Sequence, residues 1–457
     1  MTSKFPVNDR TESIRKSSEF EKIRDNLTAT WYEYHQNQPF FLQYAHLFKS
    51  IGLWNVVDFG GNENCEFAEC TQLSKNVYLS FVTVLGCENI LYSFSVKDNS
   101  VNIVNSVMVL WSSNNVYYSA WVKSGYNIFF SKYIYDSADM RFCTNMNNCQ
   151  ECVLCDNLEN ASYYIRNVQL EKEEYAKQKK EILKDKWQFA LWYDNISSVP
   201  SKNIACSDSE GSFLLNCENV KNGHMSFNVK NANNIIMAFS KEVNENYGDI
   251  LCAWRSTDMY GGVVTWTFSS KVYNSMMISN SSNIYYSYFL ENCSFCLWCI
   301  GLKNKQFCIL NKEYPKEQRF EVANKIFENM ESDWTLWQFF PWSMNPFYFN
   351  DTIASLIKDF TKEEIVSQWY LRRDEEIKVD IPQWVDVLAI KDLVQYQEFD
   401  ATGERKINPE ILKKIIKDEK GNYYKIVPME LEFLQKHGLP LPEIHRLERI
   451  KLGFNFK

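Results

Sequence analysis

The 457-residue chain holds only 15 Gly and 11 Pro, too few for frequent turns to rest on those residues. No run approaches the roughly 20 apolar residues of a membrane-spanning helix, so no span is expected. The opening stretch, MTSKFPVNDRTESIRK, is polar where an export signal needs an apolar segment; the expected compartment is the cytoplasm. The five histidines, His35, His46, His224, His437 and His445, are scattered, and none stands beside a Ser or Cys in a nucleophile motif. Neither phosphate-cradling glycine motif, G-x-x-x-x-G-K-[ST] or G-x-G-x-x-G, occurs. Basic residues are outnumbered, 49 Lys and Arg against 57 Asp and Glu, for a net charge of −8. Whole-chain attraction to phosphate backbones is therefore not expected. The acidic groups Glu171, Glu173, Glu174 and Asp374, Glu375, Glu376 read as solvated helix or loop charge. A non-enzymatic protein is the leading expectation.

What is abundant is aromatic residues, 16% of the chain, and, through the middle, asparagine, which tolerates left-handed backbone. All 14 cysteines lie between Cys65 and Cys308; without an export signal they are expected as reduced thiols. Five-residue units recur at Asn64, Asn76, Asn89, Asn102, Asn115 and Asn127, typified by Asn115-Val-Tyr-Tyr-Ser, with diverged copies at Asp139 and Glu151. Successive starts are 12 or 13 residues apart. A second set starts at Asn222 and Asn234, passes an irregular stretch, and resumes at Lys271, Asn283 and Phe295. The ends of the two sets correspond at an offset of 144: Cys149, Cys152 and Cys155 align with Cys293, Cys296 and Cys299, and Asn167 aligns with Asn311. This reads as a duplication.

A 12-residue repeat is too short for a helical unit. It suits short β-segments joined by tight corners, stacked about 4.8 Å apart. With Asn as position 1, small or aliphatic residues recur at positions 2, 5 and 8, and Cys two places before the next Asn. Inward residues every third place fit a very thin tube; plain strand alternation, with positions 2 and 4 inward, is the competing register. The fold class is mainly β with flanking α: two duplicated narrow β-solenoids plus helical caps. The expected organisation is a helical cap over 1–60, a first solenoid over 61–170, and a helix and linker over 171–205. A second solenoid over 206–314, a helical and aromatic segment over 315–375, and a linker with a terminal module over 376–457 complete it. Residues 11–25 and 39–50 read as helices capping the open first coil. Helices are also expected over 171–187, 315–333, 350–360, 361–370 and 428–437, the last stopped by Gly438. Residues 375–420 read as linker.

Two features have the residue types for chemistry or recognition. The C-x-x-C-x-x-C triplets have metal-like spacing, and Cys293, Cys296 and Cys299, with Cys308 as a fourth ligand, form the candidate metal set. The same columns hold Val, Ile, Ser and Ala in other coils, so core packing is the preferred reading and neither metal nor cofactor is expected. The aromatics at positions 3 and 4, Tyr78, Tyr117, Tyr118, Phe129, Phe130, Tyr285 and Tyr286, are the candidate interaction surface. Either the two solenoids bury these faces on each other or under the helices, or another protein binds there.

The run NCSFCLWCIGLKNKQFCILNKEY, Asn292 to Tyr314, resembles the signature of an uncharacterised family of Asn/Cys/Tyr-rich repeat proteins from uncultivated bacteria with reduced genomes. The similarity extends from about Pro39 to Leu452, and family members carry zinc ribbons at both ends. Here the leading ribbon is replaced by a helix. The stretches Tyr424-Lys-Ile-Val-Pro-Met-Glu-Leu-Glu-Phe and Leu439-Pro-Leu-Pro resemble the closing ribbon, but Lys417 and Lys420 occupy its first cysteine pair and the second is missing near Ile444. The resemblance thus implies a degenerate, metal-free zinc-ribbon-like module, since tetrahedral zinc needs those thiolates. The expected role is a scaffold that self-associates or holds a protein partner. A nucleic-acid or ribonucleoprotein-associated protein is the alternative, and an enzyme of unknown class the second.

Overall fold

The computed structural model describes residues 14–15, 29–54, 58–184, 203–374 and 380–454, apart from 239–241, 243, 267, 342–343, 346, 358 and 402. Through both repeat regions the backbone turns left-handed at every third residue. In one coil the corners are Asn115, Tyr118, Trp121 and Ser124, all with φ between 50° and 63°. Between corners one residue points inward and the next outward, so each coil is a square with three residues per side. Where a coil has 13 residues, the extra one is a second left-handed residue at the last corner, as at Asn99 after Asp98 and Ser112 after Trp111.

The inward places are positions 2, 5, 8 and 11. Val77, Ile90, Ile103 and Val116 stack at position 2, and Val96, Val109, Val122 and Ile134 at position 8, in one continuous buried column. The every-third-place register therefore holds, and alternation is excluded. In the first solenoid the sides around positions 1 and 7 stack as parallel sheets of ten and seven strands, apart from a closing antiparallel hairpin.

Two ladders run along the coils. At corner 1, Asn76 Nδ2 donates to Asn89 Oδ1 (3.0 Å), Asn89 to Asn102 (2.9 Å), Asn102 to Asn115 (3.0 Å), Asn115 to Asn127 (2.9 Å) and Asn127 to Asp139 (2.8 Å). At inward position 5, Ser106 Oγ donates to Val104 O (2.9 Å) and accepts from Ser119 N (3.3 Å), while Ser131 Oγ accepts from Cys143 N (3.1 Å). The serines of this column are tolerated inside because their hydroxyls reach backbone partners.

The second solenoid corrects two expectations. The stretch between Ala238 and Lys271 is not a break: Val229 pairs with Asn244, Glu245 with Thr257 and Thr257 with Ser270. One coil is longer and the stack continues. In addition, Asn222 and Asn234 do not start coils. They stack on Asp249, Gly261, Asn274 and Tyr286, which is corner 4; corner 1 holds Asn219, Asn231, Asn246 and Asp258. All four sides share one pattern of corner, inward and outward residues, so a five-residue unit fits the sequence equally well one side out of place.

Four asparagines close the solenoid ends with side-chain amides that imitate a peptide of the next coil. Asn62 Oδ1 accepts from Ser74 N (3.0 Å) and Nδ2 donates to Thr71 O (3.2 Å). Asn203 treats Leu214 N (3.1 Å) and Gly211 O (3.0 Å) in the same way. At the far ends Asn167 brackets Asp156 N and O (2.9 and 3.0 Å), and Asn311 brackets Ile300 N and O (2.9 and 3.0 Å). Open parallel edges invite pairing with other chains, and these amides occupy them. Each C-terminal edge is followed by an antiparallel hairpin, Ile165 on Val168 and Ile309 on Lys312.

The solenoids lie side by side and antiparallel. Lys97 Nζ is 4.0 Å from Cys252 Sγ, Trp111 packs on Phe227 (5.3 Å between centroids) and Trp121 on Phe213 (5.0 Å), so one register rises as the other falls. The helices are α1 (Phe40–Ile51), α2 (Lys172–Lys184), α3 (Lys316–Ser332), α4 (Ala354–Ile357), α5 (Lys362–Ser367), α6 (Pro428–His437) and α7 (Arg446–Gly453). Thr361 and Glu364 form the capping box of α5, and α6 ends at left-handed Gly438, φ 64°. Of the helix expected over 11–25 only Ile14–Arg15 is described, as a strand beside Leu53–Trp54; the rest lies outside the described residues.

Two placements differ from expectation. Helix α1 does not cap the first coil; Phe40 packs against Trp298 (4.0 Å) and, edge-to-face, Tyr286 (5.1 Å), in late coils of the second solenoid. The edge it was expected to protect is closed by Asn62. Nor are the residues described between 380 and 420 a linker. Val387–Ala389 pairs with Ile415–Lys417, Gln397–Phe399 pairs with Arg405–Ile407, and Leu393, Ile407, Ile411 and Ile416 are buried against the first solenoid.

Candidate interaction face

Outward positions 3 and 6, with corner 4 between them, make one long face on each solenoid. On the first, residues 380–454 cover it. Tyr117 and Phe129 lie beneath α6, 5.9 and 6.4 Å from Phe433, with His437 5.2 Å from Phe129. The Arg141 guanidinium sits 4.5 Å from the Phe129 ring. Tyr118 and Phe130 are buried beside them, Phe130 stacked on Phe142 (5.1 Å). At the centre Arg449 of α7 donates to Glu430 of α6 (2.8 Å), both fully buried, and the guanidinium lies 5.2 Å from the Tyr92 ring. A carboxylate and a guanidinium so deep in apolar surroundings hold only as a pair. Gly453 lets α7 touch the solenoid: a Cβ there would meet Val107 Cγ2 at 2.3 Å.

These columns are therefore not an open surface in the first solenoid. The cover is the C-terminal module, not the second solenoid, because the solenoids meet through positions 7 to 10 instead. Tyr78 is half-buried, edge-on to Tyr92 and Phe67. In the second solenoid Tyr286 is buried, accepting a hydrogen bond from Trp337 N (2.7 Å), and Tyr285 is half-buried against Phe327.

Sequence reasoning missed the part of this face that stays open. Ile236 stacks on Leu251, Leu251 on Val263, Val263 on Met276 and Met276 on Tyr288, all at position 6. Tyr288 is buried near α1, but Ile236 and Leu251 are 41% and 37% exposed, and Tyr260 beside them 39%. The matching first-solenoid residues, Phe94, Val107 and Ala120, are buried. A correct register for Asn222 and Asn234 would have shown the row, since Ile236 then aligns with Met276 and Tyr288.

The candidate metal set lies inside the second tube. Cys293, Cys296, Cys299 and Cys308 are all buried, and each thiol donates to the carbonyl two residues earlier at 3.3–3.5 Å. For Cys293 and Cys299 that is the hydrogen bond Ser281 and Ser287 make one coil earlier, so the thiol occupies the serine's place; Cys296 and Cys308 stand in the aliphatic column of Ile284. Contacts with the Cys293, Cys299 and Cys308 thiols, together with burial, push the Cys296 thiol upward. Among the described residues no three Cys, His, Asp or Glu side chains are disposed to hold a metal ion.

Lysines along the solenoid faces meet carboxylates of neighbouring coils: Lys221 with Glu210 (3.0 Å), Lys230 with Glu218 (2.8 Å) and Lys303 with Glu291 (3.0 Å). On the C-terminal hairpin, Lys417 lies over Tyr423 and Lys420 pairs with Glu448 (2.5 Å), while His445 N donates to Asp418 Oδ2 (3.3 Å). A cleft of about 300 Å³ separates residues 34–40 from α3, and its Asn329 amide is engaged by Tyr34 Oη (2.6 Å). No helix of the described residues is long and apolar enough to cross a membrane. Comparison with family models, with curated proteins and with solved structures finds no match to this chain.

Proposed function

We propose that this chain is a non-enzymatic scaffold that holds a protein partner on the uncovered coils of its second solenoid. The observation that carries this is the row Ile236, Leu251 and Tyr260, exposed where the equivalent face of the first solenoid lies under the chain's own C-terminal module. Apolar side chains set in register on a rigid sheet favour a protein surface. The pairing of face lysines with carboxylates disfavours nucleic acid, whose binding needs cations free to neutralise phosphates.

Two structural readings belong to the same proposal. The Asn167 and Asn311 brackets, the closing hairpins and the starts of α2 and α3 recur 144 residues apart, which supports duplication. The hairpin of Lys417 and Lys420, held to residues 445–448 by a hydrogen bond and an ion pair, supports a ribbon remnant in which protein contacts replaced the metal, in keeping with the resemblance to the zinc-ribbon repeat family.

The test is affinity purification from the native cell of the wild-type chain and of I236E/L251E, each with and without nuclease. A protein retained by the wild type after nuclease and lost from the variant is the expected result. Loss of all co-purifying material on nuclease treatment favours the nucleic-acid reading. Equal recovery by both chains removes the row from the proposal.

A further inference from the structure

Three cysteine pairs stack in neighbouring coils. Cys143 lies beside Cys155, as the Thr144–Asp156 bridge shows, and Cys296 beside Cys308, as Leu297 pairs with Ile309. Cys206 lies beside Cys217, flanked by the bridges Ile204–Leu215 and Ser207–Glu218. Each pair occupies terminal coils of a solenoid; further along, the same columns hold Ser131, Ile284 and Val229. Two pairs are sealed in the tube, with Cys143, Cys296 and Cys308 at 0% exposure and Cys155 at 2%. The third differs. Cys217 is buried, but Cys206 is half-buried in the first described coil of the second solenoid, which the Asn203 amide joins to the coil of Cys217 through Gly211 and Leu214.

We propose that Cys206 and Cys217 form a reversible dithiol–disulfide couple, oxidised by a low-molecular-weight disulfide, that staples the first described coil of the second solenoid to the next. Coils about 4.8 Å apart bring stacked residues within the Cα range a disulfide spans, roughly 4.4–6.8 Å. The Cys206 thiol, having lost its proton, attacks one sulfur of the small disulfide. That bond breaks, a mixed disulfide forms on Cys206, and the first small thiol departs with a proton. Deprotonated Cys217 then attacks Cys206 Sγ, forming the internal bond and releasing the second small thiol. Two protein thiols lose two electrons, and one small disulfide gains them to become two thiols.

The roles follow from the surroundings. The hydrogen bond from Cys217 holds the Cys206 thiol down, at about 6, so the accessible sulfur is the attacking one. Cys217, giving that bond and buried, is held upward and acts second. Oxidation restrains the coil at the end that otherwise relies on Asn203.

The test equilibrates the full chain in buffers of increasing oxidised-to-reduced glutathione ratio, then alkylates and maps the peptides by mass spectrometry. The expected product is a linked Cys206–Cys217 peptide, with a melting temperature raised by several degrees and restored by dithiothreitol. Cys217→Ser, a residue its own column carries at Ser256 and Ser269, should stop at the glutathione adduct of Cys206; circular dichroism verifies its fold. Cys206→Ser should carry no glutathione on the Cys217 peptide. A wild-type chain that keeps both thiols free, halts at the adduct, or links another pair overturns the proposal.

Discussion

Asparagine sits at corner 1 because it meets two demands together. The corner requires φ near +55°, which costs most side chains roughly 1 kcal/mol or more, and Asn reaches it with less strain. The corner also leaves a side chain facing the next coil at the distance an amide bridges, as in the chain of contacts from Asn76 to Asp139. Substitution at Asn102 separates the two. Asn102→Gly keeps the corner but cuts the ladder on both sides, and should cost about 1 kcal/mol. Asn102→Ala adds corner strain and should cost about 2 kcal/mol. Denaturant midpoints of the two variants measure the difference, and equal losses would show that the corner is unstrained. The spacing of this column was legible in sequence because one residue type serves both needs. In the second set Asn occupies several corners, so the amino acid ceases to mark which side of the square it stands on.

The C-terminal module was legible only where its elements are regular. Pro428 and Gly438 bound α6 in sequence as they do in the fold. Leu393, Ile407, Ile411 and Ile416 gave no period, because they come from short 3-10 turns and three-residue strands, and no local pattern encodes a surface assembled from such pieces. Helix α6 brings His437 onto Phe129 and Phe433 (5.2 and 4.6 Å) with Arg141 and Lys436 nearby. Burial, reinforced by those two cations, lowers its pKa to about 4. The unfolded chain, with an ordinary value near 6.5, binds the proton first as pH falls. His437 therefore contributes stability that is complete above about pH 6.5 and is lost progressively down to pH 4. The ring is only half-buried, so after solvent screening the loss should be about 1–2 kcal/mol. In His437→Phe, which keeps the aromatic contacts, the fall in unfolding midpoint between pH 7 and 4 should be smaller by that amount. Identical pH profiles for the two chains would show that the histidine is not excluded from water.

At the scale of the whole molecule, each tube has four sides and the chain gives most of them a separate task. Position 1 carries the amide ladder. Positions 7 to 10 join the solenoids, and positions 3 to 6 receive the terminal segments. The coil period and the inward columns could be read from sequence, since they repeat every 12 or 13 residues. The lateral contact could not, because an antiparallel pairing of two rods sets residues of unrelated spacing against each other: Lys97 with Cys252, Trp111 with Phe227, Trp121 with Phe213. Aromatic bulk concentrates at the last of these, where Phe213 also packs on Tyr133 and Tyr135 (5.7 and 4.9 Å). Trp121 and Phe213 are each fully buried, so truncating either to Ala should cost about 3–5 kcal/mol. Because they share one contact, the double variant should cost less than the two losses combined, by about 0.5–1.5 kcal/mol for an edge-to-face pair. Strict additivity would mean that each ring packs only within its own solenoid, and the rods would then have no central anchor. If the coupling appears while the mass in solution is unchanged, the contact is internal to one chain and the paired rods form a single rigid platform.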